Sequence, residues 1–389
     1  MGFPVLRKRI GTAAITSLTL AAASGCAFFE PEEEDLDFEA YQDQLTEMHN
    51  EGVRLIEELD AAEARIIQSC LEEQGFTVHP PDEFTSWPPE PRETFMDLSP
   101  YYWFLPTAEE AARRGFWQWT TLPGAEAYED GELYAEFEEH QEALHGAPLS
   151  EWMGEELDEF YLLDEEDQYA WYVAFEGEAR AAGEHGYLVG LESTATNDDG
   201  EAVATYPPPE GCLREMVEAV YGGLGDTDGE DYWDRSMLRP EQPDGDWSAM
   251  NERYEERTAD AEGDLLDCLA DRGRDGWEFY EGNLLVHSYL SESGEGEHPL
   301  SSYEDSGTRW PDPPSDAPDA DDLEGWLAFE RDMAVDFAEC GDESGFRAAA
   351  EHAWQQAQLR YYLDIEEETY AWQEEMRGYI EQAQEVIGA

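Results

Sequence analysis

The chain has 389 residues and carries 95 Asp and Glu against 21 Lys and Arg, a formal net charge of -74. Nucleic acid is excluded as a partner, because a phosphate backbone is held by basic side chains and this surface repels it. A wholly disordered acidic chain is excluded as well, since 41% of the residues are hydrophobic and 13% aromatic, enough to build a core. Lys8 is the only lysine, so every cation downstream of residue 9 is an arginine. Such a surface repels itself at low salt and is relieved by screening. It fits a saline habitat and loose association with cations.

The chain opens with Arg7, Lys8 and Arg9, then an apolar or small-residue run over 10–23, then Ser24 and Gly25. Charged region, short apolar run and small-residue exit are the parts of an export signal, and the run is too short to span a bilayer. Ala23, Ser24, Gly25 and Cys26 resemble the lipobox of bacterial lipoproteins, with Ala23 standing where that family usually has Leu. The resemblance implies a signal peptide over 1–25 and lipidation of Cys26, which would hold the protein on the outer face of the cytoplasmic membrane. Two or more alkyl chains anchor where one binds only reversibly. Residues 26–37 would then be an acidic spacer. The other reading is an ordinary secretory signal cleaved near Ala23 or Gly25, with Cys26 a spectator.

Apolar residues at steps of three and four over 36–74 predict one long helix, or two separated at Gly52, stopped by Gly75. "GFTVHPPDEFTSWPPEPRETF" has five prolines among aromatic residues and predicts an ordered, extended excursion packed on the surface. Thr107 and Glu110 form a capping-box pattern for a short helix ending at Gly115. Helices are expected over 133–144 and 153–163, and another after the cap Asp164, closed by Gly183 and Gly186. Residues 191–211 read as a loop or linker between a mainly helical region, 38–190, and a second one, 212–389. The latter contains expected helices over 212–221 and 248–272, a disordered or extended loop near 291–320, a helix from Leu323, and one from about 344 to 387. "EAVATY" and "NLLVHSYL" alone alternate like strands. The fold class is mainly α: helices with long proline-rich connections, stapled by two disulfides.

Four cysteines follow Cys26, namely Cys70, Cys212, Cys268 and Cys340. An even set in an exported chain reads as two disulfides, with three connectivities open. No CxxC pair suggests zinc. "CLEEQGF", "CLADRGR" and "CGDESGF" each place Gly five residues after Cys at the end of a helical run, where Gly supplies a C-terminal cap. Cys268 and Cys340 occupy such ends near one another in order. Pairing them leaves Cys70 with Cys212. These helices, the lipobox and "LPTAEEAARRG" are similar to those of uncharacterised lipoproteins of high-GC Gram-positive bacteria, the actinobacteria. That likeness implies a compartment and an architecture, and no activity.

With so many carboxylates, pairs at glycosidase spacing arise by chance. His140 and His145 are five residues apart and turn away from a common helix face, and His185 reads as a helix-end residue. No HExxH, nucleophile elbow or phosphate-binding loop occurs, so no catalytic set and no cofactor is assigned. "DTDGED", with Asp226, Asp228 and Asp231 as candidate calcium ligands, and "NDDGEA" gather hard oxygen ligands around a Gly turn without the full EF-hand order. Tyr101, Tyr102, Trp103 and Phe104, with Phe116, Trp117 and Trp119, would either line a groove for a sugar or peptide or anchor the preceding segment in the core. The expected function is that of a non-enzymatic, lipid-anchored cell-surface protein, structural or partner-binding, engaging a cell-wall polymer or envelope protein. An envelope sugar- or peptide-binding lipoprotein is the alternative, and an envelope hydrolase the second.

Overall fold

The periodic run at the start folds as a single uninterrupted helix, α1 (Phe38–Glu73), in the computed structural model of the protein. The structure describes residues 35–81, 83–84, 91–122, 125, 131–145, 159–191, 207–225, 233, 238–291, 310–311, 317–319 and 322–388. Cys26, Asp226, Asp228, Asp231, residues 197–202 with the rest of "EAVATY", residues 153–158 and most of the loop near 291–320 lie outside them. Gly52 does not divide α1. It is buried, and a Cβ there would lie 3.2 Å from the Trp372 ring, so glycine admits the close approach of α11 (Glu366–Gly388).

The expected caps form. Thr107 Oγ1 accepts from the Glu110 amide and the Glu110 carboxylate accepts from the Thr107 amide at 2.8 Å, starting α2 (Ala108–Arg114). A helix α3 (Glu132–His145) follows. Asp164 accepts from the Asp167 amide at 2.9 Å and starts α4 (Glu165–Glu176). The run does not continue to Gly183, however. Gly177, at φ 93°, breaks it before α5 (Glu178–Glu184), because the incoming chain donates the Glu210 amide to Glu176 O at 2.9 Å and sets Glu210 Cβ where a Gly177 side chain would be.

Beyond this come α6 (Gly211–Tyr221), α7 (Trp247–Asp271), α8 (Val286–Ser291), α9 (Leu323–Glu343) and α10 (Phe346–Asp364). Two expectations are corrected. "NLLVHSYL" is not a strand: Val286, Tyr289 and Leu290 are all buried, at the i, i+3, i+4 spacing of a helix face. The only β pairing among the described residues is an isolated bridge, Tyr280 to Asn283. The final run is two helices parted at Ile365, and the corner lets α10 pack on α7 while α11 packs along α1.

The fold is mainly α, and both disulfides form in the expected pairing. Cys70 joins Cys212, tying the end of α1 to the start of α6, and Cys268 joins Cys340, tying the ends of α7 and α9, with Cα atoms 5.7 and 5.6 Å apart. Gly75 and Gly273 complete Schellman caps: Phe76 N reaches Leu71 O at 3.0 Å and Arg274 N reaches Leu269 O at 2.8 Å. Each disulfide belongs to a separate core. Cys340 packs with Phe104, Phe116, Trp326, Phe337 and Phe346, and Cys212 with Leu71, Phe160, Trp171 and Met216. Among the described residues no helix is long and apolar enough to cross a membrane.

Candidate functional site

The expected excursion after α1 is ordered where described. Phe84 packs edge-on against Trp171 and Phe175 of α4, and His79 Nδ1 accepts from Trp171 Nε1 at 3.1 Å. Farther along, Asn50 of α1 brackets Arg92, donating to its carbonyl and accepting from its amide, both at 2.8 Å. Asp97 is bonded on every side. Its amide donates to Gln358 Oε1 at 2.8 Å, its carbonyl accepts from Trp354 Nε1 at 3.0 Å, and its carboxylate pairs with Arg92 at 2.5 Å. The described residues around Arg92 and Asp97 are thereby fixed by side chains of α1 and α10.

This fixed segment is one wall of an open trough of about 850 Å³, lined by Arg92, Glu93, Asp97, Tyr101, Tyr102, Trp103, Glu351 and Gln355 among others. Pro100–Trp103 forms a single 3-10 turn, which puts Tyr101 and Tyr102 half in the protein and leaves Trp103 43% exposed. Trp103 is nevertheless held. Its carbonyl accepts from His287 Nε2 at 2.7 Å, and its ring meets those of Tyr102 and His287 edge-to-face, centroids 6.1 and 6.2 Å away. His287 Nδ1 faces the Gln118 side-chain amide, and burial lowers the pKa of the imidazole. A neutral ring accepting at Nδ1 and donating at Nε2 satisfies both contacts.

The remaining aromatics of the expected groove are in the core. Phe104 and Trp119 are wholly buried and Trp117 nearly so. Trp119 Nε1 donates to Arg114 O at 3.1 Å, and the Arg114 guanidinium lies 5.2 Å from the Trp117 ring centre. Their organiser is Glu330 of α9, whose carboxylate accepts the amides of Phe116, Gln118 and Trp119 at 2.6, 3.0 and 2.8 Å. These bonds hold the turn in which Trp117 takes the left-handed conformation, φ 70°. Glu330 was legible in principle: it stands on the apolar stripe Trp326, Met333, Ala334, Phe337 of α9, and a lone carboxylate in such a stripe must find donors.

A second, smaller cavity of about 320 Å³ lies between α1, the 242–247 segment, α10 and α11, lined by His49, Trp247, Tyr361 and Trp372. Asp244 organises its rim, accepting from Tyr361 Oη at 2.5 Å and Trp247 Nε1 at 2.7 Å. Sequence reasoning missed it because its walls come from four distant segments. The chain matches no protein-family model, no curated protein and no solved structure.

Proposed function

We propose that the protein is a non-enzymatic binding lipoprotein, tethered through Cys26 to the outer face of the cytoplasmic membrane, whose trough holds an uncharged cell-wall polysaccharide. The observation that carries this reading is the exposed but immobilised Trp103 beside carboxylates. An indole face set in advance receives the C–H face of a sugar without an ordering cost, and Glu93 and Glu351 offer acceptors for hydroxyl groups. Arg92 is engaged by Asp97, so the trough is acidic on balance and disfavours polyanionic wall polymers. The fixed platform and its acceptors support binding.

The test is co-sedimentation of the mature protein with isolated neutral wall polysaccharide. Trp103→Ala should weaken binding at least tenfold with helical circular dichroism unchanged, while Trp117→Ala should lose helix content. Undiminished binding by Trp103→Ala would refute the site, and steady release of reducing ends, abolished by Glu351→Gln, would make the protein a hydrolase. For the anchor, the intact mass of the native protein should show a lipidated Cys26 terminus, and Cys26→Ser should release the chain from the membrane fraction or leave its precursor uncleaved.

A further inference from the structure

The break at Gly177 folds α5 back so that three ligating groups meet: Glu176 at the end of α4, Glu184 at the end of α5, and His185, which follows it. One oxygen from each carboxylate and a ring nitrogen of His185 lie within 4.8 Å of one another. Glu176 is 3% exposed. Its Oε2 accepts from Arg180 Nε at 3.0 Å, whereas Oε1 has no hydrogen-bond partner and faces His185 Nε2 at 3.6 Å. A buried carboxylate oxygen left without a donor is costly, and its direction, into the space beside an imidazole and a second carboxylate, indicates what would satisfy it.

We propose that Glu176, Glu184 and His185 bind one divalent cation of the zinc type, with Arg180 as a positioning residue. The donor set of two carboxylate oxygens and one imidazole nitrogen matches three-ligand Zn²⁺ sites that leave a fourth position to water. An all-oxygen cage, the preference of Ca²⁺, is not offered. The surroundings supply the outer support that metal ligands need. The His185 ring lies flat on Tyr172, centroids 3.4 Å apart at 8°, which fixes its edge toward Glu176. Arg180 Nε lies 2.9 Å from Glu184 Oε1 as well as bonding Glu176, while its Nη1 donates to Trp233 O at 2.9 Å and its guanidinium lies over the Trp233 ring.

The charge count favours a divalent ion. Glu176 and Glu184 share the single guanidinium of Arg180, a formal -1, and Glu83 adds to the negative potential at Glu176. Bonds of about 2.0–2.1 Å to a tetrahedral ion put ligands about 3.4 Å apart, so the cluster closes by about 1 Å on loading. Glu184 and His185, with side chains 21% and 16% exposed, are the more accessible members, and they mark the route of entry.

The experiment is calorimetric titration of the chelator-treated, full mature protein with Zn²⁺ in 0.5 M NaCl, on the order of a 4 Å screening length, where loose surface association is suppressed. One saturable Zn²⁺ site is expected, weakened tenfold or more by His185→Gln and by Glu176→Gln, and unaffected by Glu39→Gln on the exposed side of α1. Glu184→Gln, at the open edge of the cluster, keeps the test decisive if a core variant fails to fold, and it too should weaken binding. Co²⁺ in place of Zn²⁺ should give visible absorption that His185→Gln removes. Uptake equal in wild type and Glu184→Gln, or full competition by Ca²⁺ at equal concentration, would overturn the site.

Discussion

Glu330 makes the stability of this protein depend on pH in a direction opposite to that of a surface ion pair. Its carboxyl is fully buried, and burial outweighs the three amide donors and nearby Arg114, pushing its pKa from an ordinary 4.5 up to about 7. The folded protein therefore holds this proton more tightly than the unfolded chain between those two values. The contribution is complete below about pH 4.5 and is lost as pH rises through about 7. Over that interval, at about 1.4 kcal/mol for each pH unit, it amounts to about 3 kcal/mol. Glu176, Glu184 and Glu262 are also shifted upward by burial, so wild type alone cannot isolate the effect. The assay is urea unfolding of wild type and Glu330→Gln from pH 4.5 to 8.5, taking the difference. At pH 5 the variant should be less stable by about 1–2 kcal/mol, because a side-chain amide nitrogen cannot accept from the Trp119 amide. By pH 8 the difference should vanish or invert. A difference independent of pH, or one that grows as pH rises, would refute the reasoning.

The disulfides close loops of 142 and 72 residues, which in the chain-entropy account stabilise the fold by about 5 and about 4 kcal/mol. Replacing Cys70 and Cys212 together by Ser should therefore lower the unfolding midpoint more than replacing Cys268 and Cys340, and unchanged midpoints in both double variants would contradict this. Two glycines should respond with opposite signs. Gly211→Ala would put Cβ 2.3 Å from Ala174 O at φ 58° and should cost about 3 kcal/mol or more. Gly263→Ala, in the exposed middle of α7 with nothing within 4 Å, should stabilise by about 1 kcal/mol. Thermal unfolding of the pair reads both.

What the sequence made legible was local. The Thr107 box, the Asp164 cap and the glycines after Cys70, Cys268 and Cys340 are decided within a few residues, and their patterns predicted the geometry found. The helix break at Gly177 was not legible, because what replaces the helical bond is Glu210, more than thirty residues on. Burial sorted the aromatic cluster in the same way. Adjacent Trp103 and Phe104 have the same local signature, yet one is bonded from His287 and half exposed while the other packs on Phe279 and Phe346. Only the tertiary partners distinguish a platform from a core residue. The same holds for Glu176 and His185, whose meeting depends on that unforeseen break.

The near-absence of lysine also has a structural meaning. At several helix junctions one cation serves two acceptors. Arg272 of the α7 cap reaches both Glu339 and Glu343 of α9, and Arg274 reaches Asp332 and Asp336. Arg347 donates to the carbonyls of Leu105 and Pro106 at 2.9 and 2.8 Å. Arg239 spans Asp60 and Glu63 of α1, both buried, and Tyr221 donates to Glu63 as well. A planar fork makes such double contacts from a fixed geometry, whereas an ammonium is a point charge on a flexible stem. The exposed pairs contribute little singly. The buried one is different, because removing Arg239 would leave two carboxylates enclosed without their cation. In a chain with more than four acids for every base, Arg239, Arg272, Arg274 and Arg347 stand where carboxylates are forced inward or distant segments are joined. Glu330 shows the other solution, a carboxylate buried without a cation and held by three backbone amides instead.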